Sequence, residues 1–99
     1  MVKPKPADDF RLTSKNLTEM LRPHVKLAEE YSLSWALGWK VLRFRGRTVI
    51  SHGGDNTGFH CTSAAALESK SGFVMMSNGD SGVALLKDIA PVLDEFLAV

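Results

Sequence analysis

Apolar positions along this chain change period twice. Leu17, Met20 and Leu21 fall at helical spacing. Strand-like blocks follow, and then Leu86, Ile89, Leu93, Phe96 and Leu97 form one helical stripe. The pattern predicts a short helix over residues 13–22, capped by Thr13 or Ser14. Arg22-Pro23 ends it, because the residue before proline avoids the α region. Residues 24–34 are ambiguous, with room for a helical turn over 26–31. From Trp35 the period becomes two. Trp35, Leu37, Trp39 and Val41 are expected on one face, and Ala36, Gly38, Lys40, Leu42 and Phe44 on the other. Further strands are predicted over 48–52, 59–67 and 73–78. They are joined by a turn at Arg45-Gly46-Arg47, a loop at 55–58 and a polar turn at 68–72. Gly79-Asp80-Ser81-Gly82 breaks the last strand, and Asp80 or Ser81 is the expected cap of the final helix. Pro91 is expected to kink that helix or divide it.

The order helix, strands, helix gives an α+β class: an antiparallel sheet of about four strands packed against a C-terminal helix, with a short N-terminal one. Strands 1, 3 and 4 carry apolar residues on both faces, and one helix cannot cover both faces of such a sheet. The leftover face predicts a homo-oligomer, with or without exchanged elements, or the complement of a missing N-terminal part. Residues 1–10, with Lys3-Pro4-Lys5-Pro6, read as a flexible arm, and 11–99 as a single domain. The length of 99 residues allows little more than one domain.

A net charge of +1 argues against nucleic-acid binding driven by phosphate neutralisation. Arg43, Arg45 and Arg47 are expected to point one way along a strand, to a solvated face or a hairpin tip. The single cysteine, Cys61, excludes an internal disulfide and is expected to be a small buried strand residue. No apolar run reaches membrane-spanning length, and the first six residues lack the apolar region of a signal peptide. The residues present therefore carry no sign of export, and the chain as expressed is expected in the cytoplasm. A piece of a longer precursor would also lack its signal.

The richest stretch chemically is Ile50-Ser51-His52-Gly53-Gly54-Asp55-Asn56-Thr57-Gly58-Phe59. A β-branched run ends in a histidine, two glycines follow, and a turn cluster leads into another strand. Glycine has no Cβ, so a ligand can approach the backbone N–H groups there. A histidine beside such an edge can bind an anion or carry a proton. The bland alternative is that His52 ends a strand and the glycines make a turn.

Four segments in order resemble the C-terminal part of the serine β-lactamase-related family, the group of class C β-lactamases, penicillin-binding-protein-like proteins and esterases. Leu33-Ser34-Trp35-Ala36-Leu37-Gly38-Trp39 is similar to the family's "yGlGW" strand. Ser51-His52-Gly53-Gly54 with Thr57-Gly58-Phe59 is similar to "sHgG…tGf". Ser71-Gly72-Phe73-Val74-Met75-Met76-Ser77-Asn78-Gly79 is similar to "gvvvltN", and the closing amphipathic helix is in place. The likeness runs over residues 17–97. It implies a partial β-lactamase-like fold, with His-Gly-Gly standing where the family has its Lys-Thr-Gly edge strand. His52 would then take the lysine's role, near the substrate carboxylate or the proton traffic. Gly53, Gly54 and Asp55 would line the substrate, with the backbone N–H near Asp55 as an oxyanion-hole donor. The departures are equally definite. No serine here is followed three residues later by lysine, and Tyr31 is followed by Ser32-Leu33 rather than the family's Tyr-x-Asn pattern. The usual acyl-enzyme nucleophile is absent.

Other constellations are weaker. Gly79-Asp80-Ser81-Gly82 superficially matches the serine environment of chymotrypsin-like proteases, but that frame needs roughly twice this length. Helix capping is sufficient to explain these residues, and Ser81 with a nearby histidine is the first pair to test if the chain proves active. Ser51 and His52 are adjacent on a strand, so their side chains point apart. His52, Asp55 and His60 match no defined metal spacing, so neither metal nor cofactor is expected. His60 is expected to pack or hydrogen-bond within its strand, and His24 to be solvated. Trp35 and Trp39 with Leu37, and Met75-Met76, read as packing.

The resulting expectation is a hydrolase of β-lactamase-related type represented by its C-terminal part, whose full-length relatives would act on a β-lactam, a peptidyl D-amino acid or a small ester. Two alternatives stand beside it: a non-catalytic oligomeric binding or assembly module, and a small esterase using Ser81 or Ser51 with His52 or His60.

Overall fold

The computed structural model describes residues 12–98. The arm expected over residues 1–10 lies outside them. Helix α1 (Ser14–Leu21) is followed by strands β1 (Val25–Lys26), β2 (Ser34–Trp35), β3 (Lys40–Phe44), β4 (Arg47–Asn56), β5 (Phe59–Ala66) and β6 (Ser71–Ser77), and by helix α2 (Gly82–Ala98). The six strands lie in chain order in one sheet, each antiparallel to its neighbours. The α+β class holds, but six strands replace the four expected.

Two local causes account for the difference. Gly38 adopts φ +81°, a left-handed conformation that suits glycine, and the Ala36 N–H donates to the Trp39 carbonyl at 2.7 Å. The stretch 35–44 therefore folds back on itself, and Trp35 pairs with Lys40. Trp35, Leu37, Trp39 and Val41 do not share a face as expected. Leu37 is instead exposed, and its N–H donates to the Met20 carbonyl at 3.0 Å. The second cause is Val25–Lys26, which adds a rim strand beside β2. In place of the helical turn allowed over 26–31 there is a 3₁₀ turn at Glu30–Ser32.

Turn chemistry sets the remaining hairpins. Arg45 and Gly46, at φ 48° and 78°, form the two-residue connection between β3 and β4, with the two positive φ values of a type I′ turn. Arg45 thus leaves the strand, and Arg43 and Arg47 fall on opposite faces rather than together. Thr57-Gly58 alone joins β4 to β5, with Gly58 at φ 81°. The loop expected at 55–58 shrinks to these two residues, so Gly53 and Gly54 are extended strand and not a turn.

Thr13 caps α1, its Oγ1 accepting the Asn16 N–H at 3.2 Å. Helix α2 is not divided at Pro91. That residue lies on the exposed side, where water can satisfy the carbonyl left without its N–H partner.

The core has one cluster on each face of the sheet. Val49, Ala66 and Leu97 pack with Leu42, Phe44, Ala64 and Phe73, so α2 covers this face. Ala36, Val41 and Ile50 pack with Leu21, Trp39, Ala65 and Leu67 on the other. Helix α1 shields only part of that second face, and Phe59, Val74 and Met76 remain exposed at 63%, 70% and 80%. Met76 therefore does not pack as expected. Cys61 stands between Gly54 and Met76 on the same open face, so it is exposed rather than buried. Among the described residues no helix is long and apolar enough to cross a membrane.

Candidate functional site

Strand β4 is paired on both sides only along its first half. Its last partner on β3 is Lys40, opposite Ser51, whereas its pairing with β5 continues to Asn56 opposite Phe59. Among the described residues, therefore, no strand pairs with His52–Asn56 on that side, and the segment presents a bare edge. In an antiparallel ladder, alternate residues direct both backbone polar groups to the same neighbouring strand. The tight hairpin pair Asn56/Phe59 starts that alternation, which assigns Asn56, Gly54 and His52 to β5. Gly53 and Asp55 then turn their N–H and C=O groups outward, in phase with Val49 and Ser51, which serve β3.

Glycine keeps this edge accessible. A Cβ on Gly54 would meet the Cys61 sulfur at 3.1 Å, and one on Gly53 the Cys61 carbonyl oxygen at 3.2 Å. Both positions are close approaches rather than left-handed turns. Their missing side chains bare the backbone beside the outward N–H groups.

His52 lies on the partly covered face, exposed, with the rings of Trp35 and Trp39 at centroid distances of 6.3 Å and 6.4 Å. Lys40 Nζ stands 5.5 Å above the Trp35 ring. Trp39 also packs on the core. The two tryptophans thus shape the surroundings of His52. An apolar groove of about 350 Å³ continues along this face past Trp39, Ile50, Ser63 and Val74.

On the opposite face, His60 bridges two carboxylates. Its Nδ1 lies 2.9 Å from Asp55 Oδ1 and its Nε2 3.0 Å from Asp80 Oδ1. Asp80 also accepts the Gly58 N–H at 2.7 Å. The hydrogen bonds that its ring donates to Asp55 and Asp80 hold the His60 imidazole above its ordinary pKa. The Gly58 N–H, with His60, holds the Asp80 carboxyl below its own. Asp55 and His60 are register partners, which the two-residue turn between them makes legible in the sequence. Asp80 is brought in by the β6–α2 junction and has no such sequence signal. A cleft of about 210 Å³ beside the cluster is lined by Gly53, Thr62, Met75, Val83 and Leu86. Among the described residues no group of three or more His, Cys, Asp or Glu side chains is placed to hold a metal ion.

Ser81 is exposed at the start of α2, its carbonyl accepting the Leu85 N–H at 3.1 Å. Helix α2 covers the face opposite His52, so the fold does not bring Ser81 and His52 together. The histidine on Ser81's side of the sheet is His60, and both of its ring nitrogens already face carboxylates. His52, Gly53, Gly54 and Asp55, by contrast, are contiguous along the bare edge. Comparison of the chain with protein-family models, curated proteins and solved structures finds no match.

Proposed function

We propose that this chain is the substrate-edge segment of a serine hydrolase related to the β-lactamases, in which an acyl substrate lies along His52–Asn56 of β4. The observation that carries the reading is the loss of the β3 partner beyond Ser51, just where the two glycines begin. An extended acyl chain adds to such an edge through the outward groups of Gly53 and Asp55. The Asp55 N–H is the oxyanion donor in this arrangement, and such donors are worth a few kcal/mol each in acyl transfer. His52 stands near the substrate's carboxylate or proton traffic, with Trp35 and Trp39 beside it. The 99 residues contain no Ser-x-x-Lys, so the segment binds but turns substrate over weakly or not at all.

The test is an ¹⁵N amide titration with N-acetyl-D-alanyl-D-alanine, run beside hydrolysis of a short p-nitrophenyl ester. Shifts are expected to cluster at Gly53, Gly54 and Asp55. They should survive Asp55→Ala, which keeps the N–H, and vanish in Asp55→Pro, which removes it. Shifts scattered over the molecule, or equal in the two variants, would sink the reading. Ester turnover that disappears with His52→Ala would mean the edge already works as an active site, and a nucleophile outside the family pattern must then be found.

A second reading, an assembly module, draws on exposed Phe59, Val74 and Met76. It requires a stable oligomer that Met76→Glu dissociates, as read by light scattering.

A further inference from the structure

The half of β4 that carries Gly53 and Asp55 is weakly held by its own strand. Among the described residues no strand pairs with it on the β3 side, and two consecutive glycines precede Asp55. Glycine backbone has the greatest conformational freedom to lose, so this segment needs an external tie. That tie is visible on the covered face. The Asp55 carboxylate meets one nitrogen of His60, and the other nitrogen meets Asp80 at the start of α2. Asp80 is itself fixed by the Gly58 N–H. A chain of polar contacts therefore runs from the helix, through one imidazole, to the residue whose backbone N–H points out of the open edge. The side chain and that N–H leave residues joined at one Cα, so fixing the carboxylate limits rotation of the adjoining peptide plane.

We infer that His60 is a positioning residue for the β4 edge: as an imidazolium bridging Asp55 and Asp80, it holds the Asp55 backbone N–H in place for an anionic acyl ligand, and it releases that hold when it loses its proton. The inference rests on the reading of β4 as an acyl-binding edge. Both ring nitrogens donate only in the protonated form, and a neutral imidazole has one N–H for two carboxylates. Asp80 keeps its contact because the Gly58 amide anchors it, whereas the Asp55 side chain is 80% exposed and swings free. Net charge in the cluster then falls from −1 to −2 beside the incoming anion. Among the described residues, Asp55 from β4 and Asp80 from the β6–α2 junction are the ionisable groups that face His60. Ser77, its register partner on β6, and Gly82, Val83 and Leu86 of α2 carry no charge. Cys61 follows His60 on β5, with its side chain on the opposite face.

The experiment measures the affinity of N-acetyl-D-alanyl-D-alanine from about pH 5.5 to about pH 9, the range in which a histidine with a raised pKa ionises. It uses ¹⁵N amide shifts and follows the His60 ring resonances in the same samples. Wild-type affinity should fall about threefold through a single ionisation, the factor that one added unit charge ~6 Å away produces in water. The midpoint should coincide with that of the His60 ring, and the Asp55 amide should move with it. His60→Gln, which offers one amide donor and cannot ionise, should bind more weakly and lose this step, while the remaining amide spectrum stays folded. A pH step unchanged in His60→Gln, or no step in the wild type, overturns the inference. If the probe binds nowhere, the acyl-edge reading fails, and the positioning claim is decided by the free protein. An Asp55 amide that titrates with the His60 ring in the wild type and not in His60→Gln supports it; an Asp55 amide indifferent to that ionisation overturns it.

Discussion

One methyl group at Gly82 is a demanding test of how α2 is seated. Gly82 is buried at the first turn of α2, and a Cβ built there falls well inside contact distance of both Cβ and Oγ of Ser77. Ordinary carbon contacts begin near ~3.5 Å, so strand and helix must part by about 1 Å. Ser77 cannot simply rotate away. Its hydroxyl donates to the Gly79 carbonyl at 3.1 Å and accepts the Gly79 N–H at 3.2 Å, which closes the turn into the helix. Overpacking of this kind costs about 1–3 kcal/mol, and losing a hydroxyl contact adds about 1 kcal/mol. Alanine returns at most ~1 kcal/mol of helix propensity over glycine. Gly82→Ala should therefore destabilise the protein by about 1–3 kcal/mol, a large share of the total for a domain of this size. Urea denaturation reads this as a lower midpoint at constant slope. Ser77→Gly removes both clashing atoms, so the double variant should recover about 1 kcal/mol or more in a double-mutant cycle. A Gly82→Ala protein as stable as the parent, or a cycle with no coupling, would refute this account of the β6–α2 junction.

The stability profile against pH has two limbs. His60 is raised above its ordinary 6.5, so its contribution is complete below that value and is lost as pH rises through the higher folded value. Asp80 is lowered below 3.8, so its contribution is complete above that value and is lost as pH falls through the lower folded one. Thermal melts should show a plateau between the two limbs, and His60→Gln should erase the alkaline limb. Burial opposes ionisation of Glu68, but both its oxygens accept the Thr48 N–H, at 2.8 Å and 3.0 Å, and Arg43 adds 3.2 Å, so the carboxyl lies below its ordinary range. Glu68→Ala unties the β5–β6 turn from β4 and should cost about 1 kcal/mol in urea denaturation. Gly58→Ala meets no atom within 4 Å but sits at φ 81°, so its cost of about 1 kcal/mol is purely conformational, and Gly58→Asn should recover part of it.

Much of the framework is legible in the order of residues. Thr13 before the Leu17 stripe, the two-residue turn at Arg45-Gly46 and the alternation through β4 to β6 are local signals, each carried by near neighbours in the chain. The single stripe of α2 requires one covered face, and the apolar positions left over on the sheet require a second face that one helix cannot cover. Even the pairing of Asp55 with His60 follows once Thr57-Gly58 is recognised as a two-residue turn.

Other features depend on which strand lies beside which, and neighbouring residues do not encode that. Alternation allowed one strand through 35–44, but contacts of Leu37 with α1 and the left-handed Gly38 made it a hairpin. Glycines that suit a turn became extended strand because the ladder with β5 runs on to Asn56. Cys61 fits a buried strand position, yet α1 shields only part of its face and leaves it exposed. His52 and Ser81 are separated by the sheet itself, while Asp80 reaches His60 only because α2 returns over β5. Composition and periodicity record what each residue tolerates. The open half of β4 and the bridge at His60 arise where long-range pairing stops on one side of the sheet and helix packing begins on the other.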